Sequence, residues 1–168
     1  MQLDLLNRKN FKYQEFFFSK TAIAHNIDNQ EEFLSDPRFK EYLLNGIHLS
    51  NQLQLIRDKM IASNEFKQII GNDISININS GFRCQKLNNL VGGRPNSQHT
   101  RFEAVDFRIN GINEFEKLKE IAVWIKKQKI IVDQCLVEAS WIHLSCKIQS
   151  QSNRMMFGTF INNIFMAF

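Results

Sequence analysis

Glycine and proline are scarce, 7 and 2 in 168 residues, and no stretch is dominated by serine or by charge of one sign. Linkers and disordered tails are thereby excluded, and the whole length is expected to fold. Cysteine is nearly absent too. Cys84, Cys135 and Cys146 are odd in number and form no Cys-x-x-Cys pair, which excludes a disulfide framework in favour of reduced, half-buried thiols and points to a cytosolic origin. No apolar run reaches membrane-spanning length. The segment Met1 to Tyr13, broken by Asp4, Arg8, Lys9 and Lys12, lacks the apolar stretch of a signal peptide, so synthesis in the cytoplasm without one is expected. Basic residues are in excess, with a formal net charge of +4, but they are scattered. With no basic stripe, recognition-helix pattern or stacking motif, nucleic acid is not an expected partner.

What is present is enough apolar matter for one core: 43% hydrophobic residues, including 15 Phe. A single domain over residues 1–168 is expected, with a helical N-terminal part over about 14–72, a sheet carrying the site over about 74–148 and an apolar tail over 155–168. Leu49, Leu53, Ile56 and Met60 recur at helical spacing and form one stripe of an amphipathic helix ending near Ser63. From Ile74 to Arg83 the pattern switches to strand alternation: Ile74, Ile76 and Ile78 are apolar, while Ser75, Asn77 and Asn79 are polar. Gln85 to Val91 reads as a short helix stopped at Gly92-Gly93, Arg94 to Thr100 as a loop, Ala104 to Ile109 as a strand and Asn113 to Lys129 as a helix. Gln134 to Glu138 and Trp141 to Ile148 close the pattern as a hairpin turned at Ala139-Ser140. The tail is rich in Phe and Met with a polar interruption at Asn162-Asn163; it either packs on the domain or meets a partner, including a second copy.

Chemistry concentrates in the second half. A catalytic zinc takes three ligands from His, Asp or Glu and keeps one position open. His99 leads into the strand that carries Asp106, and His143 shares one face of its own strand with Trp141 and Ser145, opposite Ile142 and Leu144. Each histidine alone is unremarkable, whereas the three together are a ligand set. His25 and His48, in the helical part, belong to no such pattern and read as structural or surface residues.

In order along the chain stand Ser80-Gly81-Phe82-Arg83, Leu87-Asn88, Val91-Gly92-Gly93, Ser97-Gln98-His99, Ala104-Val105-Asp106, Asp133-Gln134, Glu138 and Trp141-Ile142-His143, preceded by Thr21-Ala22 and Asn26-Ile27-Asp28-Asn29. From about Phe16 to Ser145 this series resembles the zinc D-Ala-D-Ala carboxypeptidase family, in its carboxypeptidase-like branch common in phages and prophages. Vancomycin-resistance dipeptidases, phage L-alanyl-D-glutamate endopeptidases and the fold-related Hedgehog signalling domain belong to the same group. The resemblance implies an α+β fold with N-terminal helices packed on a mainly antiparallel sheet. It implies one zinc ion on His99, Asp106 and His143, and a peptidoglycan stem peptide as substrate. The site of action it implies is the bacterial cell wall, in phage lysis or on a virion.

Under that resemblance Glu138 is the candidate general base for the attacking water. Arg83 matches an arginine near the substrate, its fork of donors suited to a carboxylate or a developing oxyanion. Ser97 and Gln98 are placed to bind substrate or orient His99, Trp141 to wall the cleft, and Asp133 to cap the turn into its strand. Two positions depart from the family pattern. Phe102 stands where many relatives have glycine, adding bulk and removing easy access to positive φ. Ser140 stands where several relatives place the catalytic acid, leaving Glu138 to serve. Those departures define the alternative: a degenerate member of the fold that binds the wall or builds a virion without turnover.

Overall fold

The computed structural model describes residues 2–72, 74–149, 152–162 and 164–168. A 3-10 helix, Gln2–Leu6, precedes five helices: α1 (Tyr13–Phe17), α2 (Lys20–Ala24), α3 (Asn29–Leu34), α4 (Phe39–Ala62) and α5 (Asn64–Ile70). The stripe of α4 is where its spacing placed it, with Leu49, Leu53, Ile56 and Met60 all fully buried. The helix stops at Ala62 because Ser63 turns extended and its hydroxyl accepts the Phe66 N–H at 3.1 Å, capping α5.

The rest of the chain is built on a six-stranded sheet: β1 (Ile76–Ser80), β2 (Ala104–Ile109), β3 (Gln134–Glu138), β4 (Trp141–Ser145), β5 (Met156–Ile161) and β6 (Ile164–Ala167). Its order is β1-β2-β4-β3-β5-β6, antiparallel throughout except for the parallel pair β3 and β5. Two further helices join it, α6 (Gln85–Leu90) and α7 (Phe115–Lys127). Strand alternation gives the sheet two different faces. Val105, Phe107, Ile109, Cys135, Val137, Ile142 and Leu144 enter the core, where α7 covers β3, β4 and β5 with Leu118, Ile121, Ala122 and Ile125. The opposite face carries Asp106, Glu138, Trp141 and His143.

The tail forms β5 and β6, with Phe157 and Thr159 buried and β5 laid alongside β3. Asn162, at φ 52, begins the turn between the two strands; Asn163, the second half of the expected polar interruption, lies outside the described residues. The cysteines are more deeply placed than half-buried, since Cys84, Cys135 and Cys146 are all buried and free. Burial pushes the Cys135 thiol up to about 12 and Cys146 upward as well, so both are inert at neutral pH.

Candidate metal centre and cleft

His99 sits in a 3-10 helix, Gln98–Arg101, where the sequence pointed to an open loop. Phe102 ends that helix in the left-handed conformation, at φ 57 and ψ 31. The side chain therefore does not deny the turn its positive φ. Such a conformation costs about 1–2 kcal/mol for a residue with a Cβ, and burial outweighs it: the ring packs edge-on against Phe17 and Phe33 at 5.5 and 5.6 Å between centroids. Gly46 on α4 makes the room, because a Cβ there would stand 2.7 Å from two carbons of the Phe102 ring. From this turn the chain enters β2, and the β2–β4 register sets Asp106 directly opposite His143.

Three donor atoms thus converge. Asp106 Oδ1 lies 3.3 Å from His99 Nε2 and 2.8 Å from His143 Nδ1, and the three ligand atoms fall within 4.8 Å of one another. The second carboxylate oxygen of Asp106 accepts from Arg83 Nη2 at 2.6 Å. On the far side of its ring, His99 Nδ1 meets the Gly81 carbonyl at 2.7 Å, which assigns the proton to Nδ1 and leaves Nε2 as the free lone pair. Gly81 is itself held close to the helical part: the Phe82 N–H donates to the Phe16 carbonyl at 2.8 Å, and a Cβ on Gly81 would meet that same oxygen at 2.5 Å. Burial lowers the pKa of His99 against the pull of Asp106, favouring the neutral imidazole that a metal requires. Burial would by itself raise Asp106, but the histidines outweigh it and hold the carboxyl well below its usual range. A buried cluster of two imidazole nitrogens and one ionised carboxylate oxygen, open to a cleft on its remaining side, has the donor chemistry of a zinc site.

That cleft has a volume of about 1200 Å³, and it is lined by every candidate residue named from sequence: Arg83, Ser97, Gln98, His99, Asp106, Glu138, Trp141 and His143. In the β3–β4 register Leu136 pairs with His143 and Glu138 with Trp141, so Glu138 projects from the same face as the ligands, one step toward the hairpin turn. Ala139, at φ 25, bends that turn. Burial raises the Glu138 pKa, with His143 pulling it down and Asp106 pushing it up. Arg83 is more committed than a purely substrate-facing arginine: besides Asp106 it donates from Nε to Ser80 Oγ at 2.7 Å. Gln98 likewise points inward, donating from Nε2 to Asp133 Oδ2 at 3.0 Å.

Asp133 does more than cap or hydrogen-bond the turn into its strand. It is fully buried and gathers the Arg154 side chain and backbone N–H, Lys147 Nζ at 3.4 Å and Gln98. Burial would raise its pKa, yet these donors bring it down to about 2. It clamps the His99 segment to the start of the C-terminal hairpin. Arg154 and the β5 residues Met156 and Phe160, which also line the cleft, carried no motif and went unremarked in the sequence. Asn88 explains the second of the paired glycines after it: its Nδ2 donates to the Arg94 carbonyl at 3.0 Å, and a Cβ on Gly93 would stand 2.1 Å from its Oδ1, whereas Gly92 takes a φ of 70.

A comparison with curated proteins finds no match for the chain. The model of the Peptidase M15 family matches residues 9–145, which takes in α1 through β4, all three ligands, Arg83 and Glu138, and stops short of the β5–β6 hairpin. With most of its length matched and a His-Asp-His cluster in place, the chain belongs to the M15 peptidase family, whose members are zinc metallopeptidases.

Proposed function

We propose that this chain is a zinc-dependent peptidoglycan peptidase that hydrolyses a stem-peptide amide, as a D-Ala-D-Ala carboxypeptidase or a phage-type endopeptidase. The observation that carries the reading is the convergence of His99 Nε2, Asp106 Oδ1 and His143 Nδ1 at the floor of an open cleft with Glu138 on the same face. His99, Asp106 and His143 would hold a zinc ion, which would supply Lewis acidity to the scissile carbonyl and to the attacking water.

The protein's own groups do the rest. Glu138 takes the proton from the attacking water and returns it to the departing amine nitrogen, a role suited to a carboxylate whose proton affinity burial has raised. Arg83 steadies the Asp106 carboxylate through Nη2 and is braced on Ser80 through Nε, which leaves Nη1 for the oxyanion that forms as the carbonyl becomes tetrahedral. Ser97 and Trp141, on the cleft wall, bind and shield the peptide, while Gln98 acts through Asp133 to fix the segment that carries His99. The wall of a bacterium is the place of action, in phage lysis or as part of a virion.

Zinc-loaded protein incubated with purified peptidoglycan should release peptide fragments identifiable by mass spectrometry, and His99→Ala and Glu138→Gln proteins should release none. A wild-type protein that binds zinc yet releases nothing from several wall chemotypes would overturn the reading in favour of a wall-binding or virion structural role.

A further inference from the structure

Among the cleft arginines that the scheme above does not use, Arg108 stands apart. Arg108 lies on β2 two residues past Asp106, hence on the same face and about 7 Å along the strand, and it lines the cleft with Asn79, Glu138 and Trp141. Its Nη2 donates to Ser140 Oγ at 2.6 Å, while its Nε is buried without a hydrogen-bond partner. The other cleft arginines are engaged: Arg83 pairs with Asp106, Arg101 with Glu103 and Arg154 with Asp133, and Arg94 stands over the Phe160 ring at 5.8 Å. Arg108 makes no ion pair among the described residues.

A buried N–H without an acceptor is costly unless something else satisfies it. A guanidinium whose orientation is fixed but whose charge is not neutralised is prepared for an incoming anion, and its planar fork matches a carboxylate. Ser140 contributes both halves of that condition. Its hydroxyl holds the guanidinium in place, whereas an acid at this position would neutralise it in an internal pair. We propose that Arg108 anchors a free carboxylate of the substrate, that of the terminal residue on the leaving-amine side. A carboxylate one residue beyond the scissile amide lies about 3.5 Å from it along the peptide, within the reach of Arg108 from its strand. The anchor makes the chain a carboxypeptidase that removes one C-terminal residue; this inference rests on the peptidase reading.

The test compares zinc-loaded wild type, Arg108→Met, Arg108→Lys and Ser140→Asp on a peptide ending in D-Ala-D-Ala with either a free or an amidated carboxylate. Amidation should raise KM at least tenfold for wild type, have no effect on Arg108→Met and Ser140→Asp, and have an intermediate effect on Arg108→Lys, with zinc content and circular dichroism unchanged in all four. Calorimetric binding of acetyl-D-alanine against its amide reads the same anchor without turnover, and only wild type and Arg108→Lys should prefer the acid. Equal handling of free and amidated peptides by wild type, or acetyl-D-alanine binding that survives Arg108→Met, would overturn the anchor. Absence of any cleavage would instead count against the peptidase reading, since the calorimetric arm still decides the anchor.

Discussion

Phe102 and Gly46 form a complementary pair whose fit decides whether the segment between His99 and Asp106 can be built. The ideal Cβ of Gly46 approaches Phe102 and Leu6 within 2.7 and 2.9 Å, and both side chains are fully buried and have nowhere to go. Gly46→Ala should gain about 1 kcal/mol of helix propensity and lose about 1–3 kcal/mol to overpacking, so a net loss of stability is expected in denaturant titration. Phe102→Gly removes a left-handed side chain worth about 1–2 kcal/mol of strain but leaves a large cavity costing about 3–5 kcal/mol. It too should destabilise. The two changes should be non-additive, because Gly46→Ala loses its clash once the ring is gone.

At the scale of elements the decisive contact is Asp133, which ties the 3-10 helix bearing His99 to Arg154 at the entry to β5. Its pKa of about 2, against an ordinary 3.8, means that the folded state binds this proton less readily than the unfolded chain. The stabilisation is therefore fully present above about pH 4 and is lost as pH falls through about 2, and it amounts to about 2 kcal/mol. Asp133→Asn should cost a similar amount at pH 6. The penalty for stranding buried cations is softened because Arg154 and Lys147 both reach solvent, with side chains 48% and 30% exposed. Chemical denaturation at pH 6 and at pH 2.5 should find the gap between the two proteins narrowing in acid; a gap independent of pH would refute the assignment. Nothing in the sequence marks Asp133 for this role, because its partners are 14 to 35 residues away and meet it only in the folded chain, Lys147 past the end of β4 and Arg154 through the parallel β3–β5 pairing. The α4 stripe and the Ile74, Ile76 and Ile78 alternation were legible for the opposite reason: their signals are local and repeat within a few residues. The His-Asp-His cluster was legible through residue type and order, since few side chains suit a metal. Arg108 became informative only when β2 and β4 lay side by side and set its Nη2 2.6 Å from the hydroxyl of Ser140, which in the sequence marked only a departure from the family pattern.

For the whole molecule the metal centre is a junction between the helical part and the sheet. His99 leans on Gly81, Phe82 reaches back to Phe16 in α1, and Asp106 and His143 belong to adjacent strands, so an ion held by all three ligands joins parts of the chain far apart in sequence. Because the unfolded chain cannot hold those ligands together, binding free energy becomes folding free energy. Zinc at a free concentration of 100 times its dissociation constant adds about 2.7 kcal/mol, and at about 2–4 °C per kcal/mol for a chain of this length the melting temperature should rise by about 5–10 °C. Chelation should reverse the rise, and His143→Ala should show none of it. Glu138→Gln separates the two roles of the site: it changes no ligand, so it should keep the zinc-dependent rise while losing turnover. A Glu138→Gln protein without that rise would place Glu138 among the groups that hold the ion instead of beside the water.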